Sequence, residues 1–130
     1  YEWWKREGHA KKQPMYITRT DGDMFAFAGL WETWRPDKES DDVVESCTII
    51  TGSPNPKMAE IHHRMPVMLP PDTWDTWLDR DNHDIEALQE LFVPAPSALI
   101  QLRMVSTDVN NVRNNGPHLT DEAEPVTDEV

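Results

Sequence analysis

Proline content is the feature that most restricts how this chain can fold. Eleven prolines are spread over 130 residues, against only five glycines. Because proline fixes φ and lacks a backbone N–H donor, it interrupts helices and central strands. The chain is therefore predicted to form short elements joined by fixed turns, within one domain that has a modest core.

The charge balance is strongly acidic, with a net charge of −12 from 24 acidic and 12 basic residues. This balance excludes broad, non-specific binding of nucleic acid, which needs a basic surface. Residues 118–130 carry five acids and no Lys or Arg. We therefore predict a domain over residues 1–117, followed by an acidic, disordered tail over residues 118–130.

Two further counts limit the class of protein. The single cysteine excludes an internal disulfide and is typical of a reducing compartment. The longest mostly apolar stretch, Met24–Trp31, is far too short to span a membrane. No membrane association is predicted.

Strand signals dominate the pattern of the chain, and the helix signals follow most of them. Aromatic and β-branched residues flank the pair Asp21-Gly22, which predicts a hairpin between the segments on either side. Short helices are predicted from Pro71 and over Asp84–Phe92. This order indicates an α+β domain with a mainly antiparallel sheet. The predicted strands are residues 14–20, 24–34, 43–51, 65–70 and 99–106.

The adjacent histidines His62 and His63 raise the question of a metal site. Neighbouring side chains on an extended segment point to opposite faces, so this pair is not expected to share one zinc ion. With a single cysteine and no His-Glu-x-x-His motif, the sequence predicts no metal site. One histidine facing a pocket and a structural or surface role for both remain open alternatives.

Glu2 lies in an aromatic setting, between Tyr1 and Trp3 and before Trp4. A carboxylate among aromatic rings loses hydration, which raises its pKa and lets it carry a proton near neutrality. An ordinary surface glutamate is the alternative. Trp3 and Trp4 are candidates for stacking on unpaired bases, with core packing as the alternative.

Other residues of interest have a structural interpretation. Trp74 and Trp77 lie three apart on a predicted helix and are expected in the core, whereas Trp31 and Trp34 are expected in the core or at its rim. Cys47 is expected to be a small buried hydrophobe rather than a nucleophile.

A polar segment near the end of the predicted domain has two interpretations. Asn110, Asn111 and Arg113 have side chains that contact backbone phosphates in many complexes with nucleic acid. Asparagines in such a segment are equally typical of residues that cap a turn. The sequence leaves both possibilities open.

Six blocks, taken in order, resemble the SRAP family (SOS response-associated peptidase), whose members sense abasic sites in single-stranded DNA. The resemblance runs from Tyr1 to about Pro117 and implies a SRAP-like α+β fold with a curved sheet. The Met-Cys-Gly-Arg start of the family is absent from this sequence, so the chain is expected to be a fragment that lacks the N-terminal part of the domain. The blocks are "YEWW", "KKQPMYI", "FAFAGLWETW", "ESCTIIT", "IHHRMPVMLPP" and "VNNVRNNGP".

The resemblance implies a specific chemistry. Family members remove the initiator Met, and the exposed N-terminal cysteine then captures the aldehyde of an abasic site as a thiazolidine crosslink. The partner is single-stranded DNA with an abasic site, and no cofactor is implied. The matching positions are Glu2 and His62 as catalytic acid and base, Thr51 as a pocket residue, and Trp3 as an aromatic on the DNA path. Asn110 and Arg113 are added as candidate DNA contacts.

Because the nucleophilic cysteine is absent, the chain alone is not expected to form the crosslink. The alternatives are a peptidase that acts on other proteins and a non-catalytic module that binds single-stranded DNA. The resemblance also implies a monomeric, cytoplasmic and nucleoid-associated protein, of bacterial origin.

Overall fold

The computed structural model describes residues 1–5, 12–39 and 41–126, with only the backbone described for residues 3–5. The described chain divides into two compact units. The first unit contains residues 1–24, 54–64 and those from 96 onward, and the second contains residues 25–53 and 65–95.

Short elements follow one another along the chain, as the proline content predicts. The helices are α1 (Pro56–Ala59), α2 (Trp74–Leu78) and α3 (Ile85–Gln89), joined by several 3-10 turns. Within the described residues, no helix has the length and apolar character needed to cross a membrane. The strands are β1 (Glu2–Lys5), β2 (Gln13–Arg19), β3 (Gly29–Trp34), β4 (Val44–Ile49), β5 (Thr51–Gly52), β6 (Met65–Pro66) and β7 (Ile100–Met104).

The strands form three antiparallel sheets, with the orders β1-β2-β7, β3-β4 and β5-β6. The α+β class with short antiparallel sheets is thus confirmed. The predicted hairpin across Asp21-Gly22 is wrong, because β2 and β3 belong to different sheets. Gly22 does form a turn, with φ of +83°. However, both edges of β2 are already occupied by β1 and β7, so the chain after the turn cannot pair with it.

Strand β2 contains a proline at the centre of a sheet, which is an unusual position for this residue. Val105 donates its N–H to the Pro14 carbonyl at 3.1 Å, but Pro14 has no N–H to return. The side chain of Gln13 fills this gap, since its Nε2 donates to the Val105 carbonyl at 3.1 Å. The ladder is therefore completed by a side chain.

Helix α1 anchors the core of the first unit. Met58 and Ile17 are fully buried. The buried residue Asn55 caps the N-terminus of the helix, because its Oδ1 accepts a hydrogen bond from the Met58 N–H at 2.8 Å. Lys57 extends to the sheet edge and donates from Nζ to the Ile100 carbonyl at 2.7 Å.

The acidic segment after residue 117 contacts the same sheet. It begins as a 3-10 turn over Pro117–Thr120. Ala123 then donates its N–H to the Met104 carbonyl at 3.0 Å, and Val126 donates to Gln13 Oε1 at 2.7 Å. As far as Val126, this arrangement differs from the disordered tail that the composition predicts; residues 127–130 lie outside the described residues.

The second unit has its own apolar core. Trp77 meets Phe92 edge-on, with ring centroids 5.9 Å apart, in agreement with the core position expected for Trp77. Trp74 is only partly covered, with 39% of its surface exposed, and its Nε1 donates to the Leu69 carbonyl. The core consists of Ala28, Val67 and Leu69, packed against Ile50, Trp77, Leu91 and Phe92.

Strands β3 and β4 form a two-stranded ribbon, here called the β3–β4 ribbon, that is largely exposed to solvent. Trp31 is 72% exposed and Trp34 is 57% exposed, so the expected core or rim positions of these tryptophans are wrong. Cys47 is exposed as well, although the sequence predicts a small buried hydrophobe at this position. Both predictions assume that apolar residues in a strand are covered, and within the described chain nothing covers this ribbon.

Candidate functional site

Glu2 opens strand β1 in the first unit. Tyr1 and Ile17 exchange two backbone hydrogen bonds, at 2.9 and 2.7 Å. The next pair, Glu2 and Tyr16, is therefore a non-hydrogen-bonded pair, in which facing side chains come closest. Glu2 is exposed as a whole, but partial desolvation of its carboxyl raises the carboxyl pKa. A carboxyl group of this kind holds its proton to a higher pH than a fully hydrated one.

A row of three polar side chains crosses the sheet at this level. Tyr16 lies opposite Glu2 on one side and opposite Arg103 on the other. The Arg103 guanidinium lies 5.7 Å from the centroid of the Tyr16 ring and donates to the Thr120 carbonyl at 3.0 Å. Sequence reasoning did not select Tyr16 or Arg103, because only the pairing register of three distant segments brings them beside Glu2.

His62 follows helix α1 in the first unit and is half-buried. Its backbone N–H donates to the Met58 carbonyl at 2.9 Å. Its ring Nδ1 accepts a hydrogen bond from the Arg64 N–H at 3.1 Å. A neutral imidazole that accepts at Nδ1 carries its proton on Nε2. The backbone therefore fixes both the orientation and the tautomer of this ring.

The two histidines do not point to opposite faces, so that part of the sequence argument is wrong. The chain bends at His63, and the rings of His62 and His63 stack with centroids 4.4 Å apart and planes 23° apart. The extended geometry assumed for this segment does not apply, because it lies in the turn between α1 and β6. Among the described residues, no group of three or more His, Cys, Asp or Glu side chains is arranged to hold a metal ion.

Met58 connects the surroundings of Glu2 with those of His62. The Tyr1 hydroxyl donates to Met58 Sδ at 3.6 Å, and the Met58 carbonyl accepts from the His62 N–H. Glu2 is thus linked to Met58 through the side chain of its neighbour Tyr1, and His62 through a backbone hydrogen bond. Small rearrangements at either end are opposed by the packing of Met58.

Two other candidates lie elsewhere or are only partly described. Thr51 belongs to the second unit, where it is half-buried in β5 and lies opposite Pro66. The backbone of Trp3 pairs with Met15 in the first unit. The side chain of Trp3 lies outside the described residues, so its expected stacking role stays a prediction.

Asn110 ends an exposed 3-10 helix over Thr107–Asn110 in the first unit, and Arg113 lies in the exposed turn that follows. The capping role falls to Asn111, whose Oδ1 accepts from the Arg113 N–H at 3.1 Å. The guanidinium of Arg113 makes no hydrogen bond or ion pair with the described residues.

The sequence is similar to those of curated proteins. Abasic site processing protein YoqW of Bacillus subtilis is 40% identical over 119 residues, which are 92% of this chain and 52% of that protein. Abasic site processing protein YedK of Escherichia coli is 32% identical over 118 residues, which are 89% of this chain and 51% of that protein. The chain thus spans about half the length of these curated relatives.

A solved structure supports the same relationship. A protein from Bacteroides thetaiotaomicron superposes with a TM-score of 0.81 over 95% of this chain and 53% of its own, at 27% identity. The model of the SOS response associated peptidase (SRAP) family matches residues 1–112. The match includes the segments of Glu2, Thr51, His62 and Asn110. The chain belongs to the SRAP family.

Proposed function

We propose that this chain supplies the acid–base and DNA-contacting part of a protein that processes abasic sites in DNA. The relatives named above support the general role, since both are abasic site processing proteins. The finer proposal is covalent capture of an abasic site in single-stranded DNA by an N-terminal cysteine, exposed after self-processing of the initiator Met.

One observation carries the proposal: Glu2 and His62 belong to one unit, and the hydrogen bonds of the Tyr1 hydroxyl and of the His62 N–H both end on Met58. The amine of the capturing cysteine attacks the aldehyde carbon, and water must leave before the thiol closes the ring. A carboxyl group with a raised pKa is the better proton donor to the leaving oxygen, and an imidazole nitrogen can accept a proton from the attacking groups. Glu2 and His62 take these two roles.

The nucleophile is not among these 130 residues. Cys47 is the only cysteine of the sequence. Its nitrogen forms a peptide bond in the middle of β4, so the residue has no free amine beside its thiol. The proposed capture therefore belongs to the whole protein, in which a further segment provides the cysteine.

The DNA contacts of the proposal are mainly electrostatic and stacking contacts. The guanidinium of Arg113 and the amide of Asn110 contact backbone phosphates, and Trp3 stacks on a base. Thr51 helps to position the deoxyribose. A monomer in the bacterial cytoplasm, associated with the nucleoid, belongs to the same proposal.

The proposal is tested by joining a family-like N-terminal segment that begins with cysteine to this chain. The fusion is incubated with single-stranded DNA that carries one abasic site, and a heat-stable crosslink is followed on a denaturing gel. We expect Glu2→Gln and His62→Gln to slow crosslinking by on the order of 10²-fold, as is typical for loss of a general acid or base.

His63→Gln provides a matched control, since His63 stacks on His62 but is not assigned a role. Its rate is expected to stay close to that of the unmodified fusion. A folded fusion that yields no crosslink would exclude covalent capture, and equal slowing by His62→Gln and His63→Gln would exclude the specific role of His62. A crosslink formed by the 130-residue chain without the cysteine segment would also contradict the proposal.

A further inference from the structure

Glu2 has one directly opposed side chain in the described part of the chain, that of Tyr16. Strand β1 is an edge of its sheet and pairs with β2 alone among the described strands. The pair Glu2–Tyr16 exchanges no backbone hydrogen bonds, so its Cα atoms are about 4.5 Å apart and its side chains share one face. Tyr16 is therefore the neighbour of the Glu2 side chain across the strands.

The ring of Tyr16 is held from its other side. Arg103 lies opposite Tyr16 on β7, and its guanidinium is 5.7 Å from the centroid of the ring. The guanidinium is itself anchored, because it donates to the Thr120 carbonyl at 3.0 Å. Since an aromatic face attracts a cation, this contact limits the directions in which the half-buried Tyr16 side chain can turn.

The order of the row places a neutral ring, and not a cation, next to Glu2. Neighbouring strands are about 4.8 Å apart, so the backbones of Glu2 and Arg103 are about 10 Å apart, with Tyr16 between them. A guanidinium directly opposite Glu2 would favour the ionised carboxylate and lower its pKa. A ring in this place excludes water without supplying charge, and loss of water from a carboxylate raises its pKa.

We propose that Tyr16 is a positioning residue for Glu2: its ring, steadied by Arg103, fixes the Glu2 carboxyl group and shields one side of it from water. This inference rests on the proposed function, in which Glu2 is the proton donor. Desolvation is the main cause of the raised Glu2 pKa, in keeping with a ring at this position. The role belongs to the ring and not to the hydroxyl, so phenylalanine is expected to serve equally well.

The pKa of Glu2 is the first measurement, because it does not depend on crosslinking. The cysteine-bearing fusion is isotope-labelled at its glutamate carboxyl groups for NMR titration, and Glu2 is assigned by comparison with Glu2→Gln. In this fusion the nitrogen of Tyr1 forms a peptide bond, so its amino charge is absent. The charged groups on the elements around the row are the same in all variants; they are Arg103 on β7 and Asp121 and Glu122 in the acidic segment.

Tyr16→Thr removes the ring and keeps a residue that favours strands. We expect this variant to lower the Glu2 pKa toward its ordinary value of 4.5. Its crosslinking is expected to be slower on the order of tenfold at neutral pH, and its rate should begin to fall at a lower pH as the pH rises. Tyr16→Phe is expected to match the unmodified fusion in both measurements.

Thr18→Ala is the matched control for these variants. Thr18 lies on the same face of β2 as Tyr16, but it is opposite Gln101 and two residues away from the row of Glu2. Neither the Glu2 pKa nor the pH dependence of crosslinking is expected to change. If Tyr16→Thr does not fold, Tyr16→Gln takes its place with the same expectation, because an amide donor stabilises the ionised carboxylate.

Three results would overturn the proposal. The first is a folded Tyr16→Thr variant in which the Glu2 pKa is unchanged. The second is a crosslinking rate that falls equally at every pH, as a purely structural loss would produce. The third is slow crosslinking by Tyr16→Phe with an unchanged Glu2 pKa, which would assign the role to the hydroxyl.

The two measurements also separate this proposal from the proposed function. A folded fusion that forms no crosslink, but whose Glu2 pKa still falls in Tyr16→Thr, would exclude covalent capture and support the action of Tyr16 on Glu2. A fusion that crosslinks with the same Glu2 pKa and the same pH dependence in Tyr16→Thr would support capture and exclude the role of Tyr16.

Discussion

The hydroxyl of Tyr1 donates a hydrogen bond to the thioether sulfur of Met58, across 57 positions of the sequence and at a distance of 3.6 Å. This contact fastens the beginning of β1 to helix α1. Burial raises the pKa of the Tyr1 phenol, so the hydroxyl keeps its proton and remains a donor. The relationship matters for function because Glu2 follows Tyr1 directly and His62 bonds to the backbone of Met58.

Shortening the Met58 side chain is expected to destabilise the first unit. Met58 is fully buried, and replacement of a buried methionine by alanine typically costs about 2–5 kcal/mol. Met58→Ala is therefore expected to lower the free energy of unfolding in urea by this amount. Met58→Leu keeps most of the volume and should cost less than about 1.5 kcal/mol. Similar losses for both variants would show that the sulfur, and not the volume, is decisive.

The raised pKa of Glu2 predicts the direction of a pH effect on stability. The folded state holds the Glu2 proton to a higher pH than the unfolded state, whose value is near 4.5. Stability from this group is therefore highest below pH 4.5 and falls as pH rises through the raised pKa. Glu2→Gln is expected to remove this fall, so that the variant gains stability relative to the unmodified chain at neutral pH only.

Thermal unfolding measured between pH 3 and pH 8 checks this expectation. A difference between Glu2→Gln and the unmodified chain that grows toward low pH would contradict the assignment.

Loss of the Gln13 side chain is expected to leave a buried acceptor without a partner. Val105 is 1% exposed, and its carbonyl accepts from Gln13 Nε2. An unsatisfied buried group costs about 1–3 kcal/mol, which is the loss expected for Gln13→Ala in urea unfolding. Gln101→Ala, at an exposed position of β7, is the control. Pro14→Ala restores a backbone N–H, so the double variant should lose less than the sum of the two single variants.

The two helix N-caps, Asn55 and Asp84, should differ in their contribution to stability. Asn55 is 4% exposed and caps α1 at 2.8 Å, whereas Asp84 is exposed and caps α3 at 3.0 Å. Asn55→Ala is expected to cost about 2 kcal/mol and Asp84→Ala about 0.5–1 kcal/mol, within the range of N-caps. Chemical denaturation followed by circular dichroism measures both, and a larger loss for Asp84→Ala would contradict the ranking.

Arg113→Gln is expected to weaken binding of single-stranded DNA and to reduce its salt dependence. One phosphate contact on a single strand contributes about 0.7 to the slope of log K against log salt concentration. Arg19→Gln changes the net charge equally but is expected to change neither the affinity nor the slope. Arg19 already bonds both carboxylate oxygens of Asp21, at 2.8 and 2.6 Å. Fluorescence anisotropy over a salt series, with the cysteine-bearing fusion, separates the two variants.

Much of the local structure follows from the sequence, while pairing and burial do not. The run at residues 14–20 predicts β2 within one residue at each end, because its aromatic and β-branched residues favour strands whatever their partners are. The strands that pair with β2 are residues 2–5 and 100–104. The hairpin signal at Asp21-Gly22 pairs only strands that are neighbours in sequence, so it predicts the wrong partner for β2. Cys47 and Trp31 are exposed because burial depends on what covers a strand, which its own residues do not contain.

In the candidate site, too, the sequence predicts the residue types but not the contacts between distant segments. Chemical type and family resemblance select Glu2 and His62, but not the Tyr16–Arg103 contact that shares the row of Glu2. The stacking of His62 on His63 depends on the bend after α1, and alternation along an extended chain cannot predict it. Side-chain direction in turns is set by local dihedral angles rather than by a repeating period.

The amide of Gln13 has a consequence for motion as well as for structure. Its nitrogen completes the ladder at Val105, which turns its oxygen toward the N–H of Val126. Docking of the acidic segment and closure of this end of the sheet are therefore thermodynamically linked, since each orders the group that the other needs. Hydrogen exchange at the Val126 amide thus reports local opening of a sheet at Gln13, which lies 113 positions earlier in the sequence.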